Sequence, residues 1–170
     1  LKKKIRSIEF EKMDIKALKQ LKPIKRLLLG DRSKGVVLLE KGVVMKTYDK
    51  NSAAQVGRYN KEVAVLKRLQ PSGLVPKLFA CDDANEVIFM EYVGGNVVLN
   101  RSQKKAVKHA LKLFGTKYHV FRVKGGKARY SYKHLFPANI CVDSAGIVKL
   151  IDFGAKLWIC DDKHYKQYLP

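Results

Sequence analysis

The sequence predicts an α+β fold. Three observations carry that expectation. Short apolar runs of strand length are separated by Gly, Pro, Asn and Asp. Two longer stretches repeat their apolar residues every three and four positions. The hydrophobic fraction of 46% over 170 residues is enough for a packed core.

Residues 2–22 set Ile5, Ile8, Met13, Leu18 and Leu21 among many lysines, which predicts one or two short basic amphipathic helices ended by Pro23. IKRLLLG, VVLLE and VVMKTYD follow, divided by the loop DRSKG and a turn at Lys41-Gly42, and read as an antiparallel meander. In 52–69, Val56, Tyr59, Val63, Leu66 and Leu69 fall on one helical face after an Asn/Ser cap. Pro71, Gly73 and Pro76 break that helix. LVPKLFACDD and EVIFMEYVGG predict two more strands around a turn at 82–85. Residues 102–114 predict a basic helix with Ser102 as N-cap and with Val107, Ala110, Leu111 and Phe114 on its apolar face. A hairpin about Gly125-Gly126 and another about 144–146 complete the pattern. The expected organisation is a basic helical extension (1–23), a sheet-bearing lobe (24–93) and a second, smaller lobe (94–170).

Lys and Arg number 35 against 15 Asp and Glu, a formal charge of +20. Such a charge reflects either a polyanionic partner or plain lysine enrichment. Its distribution is uneven: between Tyr92 and Val142 there is no acid, while Arg101, Lys104, Lys105, Lys108, Lys112, Lys117 and further cations up to Lys133 fall there. The stretch 101–133 is therefore a candidate surface for nucleic acid or another polyanion. No apolar run approaches the ~20 residues of a spanning helix. The start LKKKIRSIEF lacks the apolar stretch of a secretory signal. Cys81, Cys141 and Cys160 have no CxxC spacing and read as reduced thiols. These features predict an intracellular protein, cytoplasmic or nuclear, without a membrane span. The histidines have no ligand-like spacing, so no structural zinc is expected.

Four places carry chemistry. Gly30 and Gly35 bound a loop between two strands, where backbone N–H groups can approach a phosphate, although an ordinary hairpin loop has the same composition. Lys46 ends an apolar strand and is costly to bury unpaired. Glu62 follows sixteen residues on and is its candidate partner, the alternative being two exposed side chains. Asp152 ends VKLID before Phe153-Gly154, and Asn139 precedes it across a hairpin. A carboxylate and an amide oxygen suit Mg²⁺ with phosphates completing its shell.

Taken together and in order, these residues resemble the protein-kinase family. LGDRSKGVV is similar to the glycine-rich loop, VVMK to the strand-three lysine and YNKEVAVLKRL to the helix-C glutamate. FMEYVGG resembles the hinge, HLFPANICV the catalytic loop and LIDFG the DFG motif. The resemblance spans about 24–158. It implies an N-terminal antiparallel sheet lobe with helix C and a much reduced C-terminal lobe. It also implies ATP and Mg²⁺ as cofactors. Gly30 and Gly35 would cover the phosphates, Lys46 would hold them steadied by Glu62, and Asn139 and Asp152 would bind the metal. The backbone of Glu91 and Val93 would meet adenine with Met90 behind it. Val37 and Val44 would sandwich the base, unless they are plain core.

Three departures qualify what the resemblance implies. Arg32 replaces the middle glycine of the loop and is placed to contact phosphate itself. His134 stands where the family has its catalytic aspartate, and histidine can accept a proton. The sequence ends sixteen residues after Gly154, a size like that of the RIO kinases and the KEOPS-complex kinase. Three functions stay open: an ATP/Mg²⁺-dependent phosphotransferase with a Ser/Thr acceptor on a protein partner, a pseudokinase serving as a nucleotide-binding scaffold, and a basic module associated with RNA or a ribonucleoprotein.

Overall fold

A computed structural model of the chain describes residues 14–27, 35–95, 98–120, 123–124, 127–128 and 137–154. It is α+β, as expected. A short helix α1 (Ile15–Lys19) leads into β1 (Pro23–Leu27), β2 (Gly35–Leu39) and β3 (Val43–Thr47). Helix α2 (Ala53–Leu69) follows, then β4 (Leu78–Asp82) and β5 (Val87–Glu91). Beyond them lie α3 (Arg101–Thr116), the two-residue strands β6 (Val123–Lys124) and β7 (Lys127–Ala128), and the hairpin β8 (Ile140–Val142) and β9 (Val148–Leu150).

The first five strands form one antiparallel sheet in the order β1-β2-β3-β5-β4. The turn between β2 and β3 uses Lys41 and Gly42 at φ of 60° and 70°, a left-handed bend that glycine meets without strain. It sets Leu39 opposite Val43 and hence Val36 opposite Lys46. Side chains alternate between faces, so this register decides which residues meet the core.

The two faces bury different clusters. Val36, Val44, Tyr48, Ile88 and Met90 pack with α2 residues Tyr59, Val63, Leu66 and Leu69. The same cluster continues through α3 residues Val107, Ala110, Leu111 and Phe114 to Ile140, Leu150 and Phe153 of the hairpin segment. On the opposite face Leu39, Val43, Val87 and Phe89 pack with Leu18 of α1, which is wholly buried. Strand β5 is covered on both sides, which is why VIFM is continuously apolar.

Two helix starts differ from expectation. At α2, Ser52 occupies the cap position but its side chain makes no cap bond; Asp49 instead turns the chain, accepting from Asn51 N–H at 3.1 Å. At α3 the cap is Asn100, two residues before Ser102. Asn100 Oδ1 accepts from Gln103 N–H at 2.9 Å and Gln103 Oε1 accepts from Asn100 N–H at 3.0 Å. The spacing explains the choice: Gln103 lies three residues after Asn100, as a reciprocal capping box requires. Ser102 sits inside the helix and donates to Asn100 Oδ1. Among the described residues no helix is long and apolar enough to cross a membrane.

Candidate nucleotide and metal site

Lys46 lies mid-sheet on the face that α2 covers, and only 7% of it is exposed. Its ammonium has two carboxylate partners. Nζ donates to Glu62 Oε2 at 2.7 Å and to Asp152 Oδ1 at 3.1 Å. These contacts join β3, α2 and the end of the C-terminal hairpin, residues 106 positions apart at their widest. The expected Lys46–Glu62 pair therefore forms, and the alternative of two exposed side chains does not hold.

Tyr48, two residues after Lys46 and just beyond the end of β3, is buried on the same side of the sheet. Its hydroxyl donates to the same Glu62 oxygen, and its ring lies 5.3 Å from the Lys46 ammonium. Glu62, 1% exposed, also accepts from the Phe153 backbone N–H. Burial pulls the Lys46 pKa down, but Glu62 and Asp152 together outweigh it and hold the ammonium above its ordinary value. Burial pushes the Glu62 carboxyl up; Lys46 opposes this, Asp152 adds to it, and the balance lies above the ordinary value. Both groups shift upward for one reason: the cluster holds one cation against two carboxylates in a dry setting.

Asp152 is the exposed member, with 38% of its side chain open to solvent. Its backbone is left-handed at φ 64°, a conformation aspartate tolerates better than most residues. The β8–β9 register brings Asn139 beside it, since Asn139 C=O accepts from Ile151 N–H at 3.0 Å. Among the described residues Asp152 Oδ2 has no partner, leaving one carboxylate oxygen for a cation. A site of one carboxylate and one amide suits Mg²⁺, which keeps several waters and takes phosphate oxygens with it. Among the described residues no group of three or more His, Cys, Asp or Glu converges as an all-protein metal cage would.

Beside this cluster is a cleft of about 540 Å³, counting its open mouth. Besides Lys46, Glu62 and Asp152 it is lined by Leu27, Val36, Val44, Pro76, Met90, residues 91–94, Cys141 and Ile151. Gly94 makes the closure. It is left-handed at φ 84°, and a Cβ there would meet Val142 O at 3.1 Å, so only glycine lets the strand exit approach the hairpin. Burial pushes the Cys141 thiol up, which keeps it protonated and inert.

Of the residues expected at a nucleotide site, Val44, Lys46, Glu62, Met90, Glu91, Val93 and Asp152 line this one cleft. Asn139 stands next to it. Val37 does not reach it. Its side chain points to the α1 face of the sheet, and Val36 takes the expected place because it pairs with Lys46. Gly35 begins β2, with its carbonyl accepting from Thr47 Oγ1 at 3.3 Å. Gly30, Arg32 and His134 lie outside the described residues. Tyr48, Val36, Cys141 and Ile151 were not expected at the site. Strand alternation from Lys46 identifies the first, and counting the register back from the Lys41–Gly42 turn identifies the second. Compared with models of protein families and with curated proteins, the chain matches none.

Proposed function

We propose that the cleft binds ATP with Mg²⁺ and that the protein is a minimal protein-kinase-like phosphotransferase with a Ser/Thr acceptor. One observation carries the reading: a buried lysine held between a helix glutamate and an aspartate at the edge of an apolar cleft. A buried ammonium between two carboxylates is costly to maintain for stability alone. It is well suited to receive an anion that brings its own metal.

In this reading the base lies between Val36 and Val44 on one side and Cys141 and Ile151 on the other. Val93 offers its N–H, which has no partner among the described residues. Lys46 meets the α- and β-phosphates, and Glu62 with Tyr48 keeps its ammonium in place. Asp152 and Asn139 would hold Mg²⁺, which would supply charge neutralisation for the transferring phosphoryl group. The acceptor hydroxyl attacks the γ-phosphorus, the bond to the β-phosphate oxygen breaks, and His134 takes the hydroxyl proton. Positioning and metal electrostatics dominate such a transfer, so a histidine in the base position is compatible with turnover.

The test is thermal unfolding with ATP, with and without Mg²⁺, followed by transfer of labelled phosphate to a generic acceptor protein. Ligand bound to the native state raises the melting temperature by mass action. Asp152→Asn keeps the left-handed backbone accessible and should lower transfer by about 10²–10³-fold, the scale for losing one preorganised charge-stabilising group. Unchanged transfer in Asp152→Asn would refute the assignment. His134 at the aspartate position favours a second reading, a nucleotide-binding scaffold without transfer. Metal-dependent stabilisation by ATP with no label incorporated selects it.

A further inference from the structure

Helix α3 carries a feature the cleft does not use. Arg101, Lys104, Lys105, Lys108 and Lys112 are all exposed. At 100° per residue they fall within one arc of about 100°, centred about 120° round the helix from the arc of buried Val107, Ala110, Leu111 and Phe114. Among the described residues no carboxylate pairs with any of the five.

This arrangement works against the helix itself. The first turn holds no acid, and cations near a helix N-terminus oppose its dipole. Arg101–Lys105, Lys104–Lys108 and Lys108–Lys112 are like charges at i,i+4, each repulsive. Neither helix formation nor core packing accounts for five unopposed cations in one row. A polyanion docked on that row relieves every one of these repulsions.

We infer that this face of α3 docks the phosphate backbone of a nucleic-acid duplex without reading its sequence. The row from Arg101 to Lys112 spans roughly 16 Å at ~1.5 Å per residue. A duplex presents a charge about every 1.7 Å of its axis, so several phosphates lie within reach of the row at once. The chemistry of the face argues against the other polyanions. The apolar side of α3 is consumed by the core, so the helix has nothing to insert into a lipid surface. The row offers no aromatic or aliphatic anchor of the kind that dominates protein–protein interfaces. What it offers is charge alone, which is what a phosphate backbone requires.

The test uses the full chain and a fluorescein-labelled 25-base-pair RNA duplex of arbitrary sequence, followed by anisotropy between 50 and 200 mM KCl. The variant R101Q/K105Q/K108Q/K112Q removes four charges from the row. The comparison variant K25Q/K41Q/K50Q/K77Q removes four exposed charges elsewhere. The slope of log affinity against log salt should become shallower by roughly 0.9 for each phosphate the protein ceases to neutralise, so by about 3 to 4 in the row variant. The comparison variant should keep most of the slope. The row variant should also melt no lower than the parent, since it sheds only repulsions, which separates weakened binding from impaired folding. Equal changes in both variants, or an unchanged slope in the row variant, would overturn the inference. So would tighter binding to phosphatidylserine vesicles or polyglutamate than to the duplex.

Discussion

Lys46 and Glu62 cannot be replaced one at a time without leaving a charge stranded. Lys46→Met abandons Glu62 beneath α2, and breaking a buried pair in this way costs about 3–5 kcal/mol. The loss should shrink as pH falls and Glu62 takes up a proton, which urea titrations at pH 5 and pH 8 will detect. Tyr48→Phe removes one donor to Glu62 and leaves the packing, so it should cost about 1.5–3 kcal/mol, as expected for a hydrogen bond to a charged group. Alkaline pH gives a further handle. The Lys46 ammonium is held above its ordinary 10.5, and the Tyr59 phenol, raised by burial and by its bond to Asp83, stands above its ordinary 10.0. Both groups keep their protons in the folded state after the unfolded chain has lost them. Their contribution is therefore whole below about pH 10 and erodes as pH rises from there towards the folded values. Melting temperatures from pH 9 to 11 should fall, and fall less steeply in Tyr59→Phe.

Among the elements, the strands were the most legible and the helix starts the least. Turn residues fix strand ends locally, and the Lys41–Gly42 turn set the register of β2 and β3 within the sequence itself. Helix caps depend on a reciprocal partner, so Ser102 looked adequate while Asn100 with Gln103 made the better-satisfied start. Asn100→Ala should cost about 1 kcal/mol in denaturant unfolding, and Ser52→Ala, whose side chain caps nothing, within about 0.5 kcal/mol. Val37 differs from expectation for a related reason. Valines on adjacent positions look equivalent in composition, and only the pairing partner tells them apart. The lysine–glutamate contact was legible as a pair. The third partner was not, because the sequence alone does not bring Asp152 across 106 residues to the same ammonium.

Among the described residues the larger of the two clusters runs from the sheet through α2 and α3 to the hairpin segment. Hydrogen bonds tie the hairpin to the sheet lobe as well: Leu150 N–H donates to Leu74 C=O at 2.9 Å, and the Lys149 side chain donates through Nζ to Gly73 C=O at 2.7 Å. Continuity of this kind predicts one cooperative transition, with secondary structure and tertiary packing lost together in circular dichroism at far- and near-ultraviolet wavelengths. Phe114→Ala, wholly inside α3, should lower that transition by about 3–5 kcal/mol and carry the cleft with it, since no boundary separates the two.

Among the described residues the second cluster is smaller and is covered by one short element. Helix α1 has five residues and closes the far face of the sheet with Leu18, while Lys19 reaches Asp82 at 2.5 Å. A polypeptide begun at Pro23 would keep every strand and every residue of the cleft. It would also display Leu39, Val43, Val87 and Phe89 side by side on a bare sheet, which is half of a sandwich in search of its other half. Shortened in that way, the protein should self-associate more than the parent on size-exclusion chromatography, because the uncovered face can be buried again against a second copy.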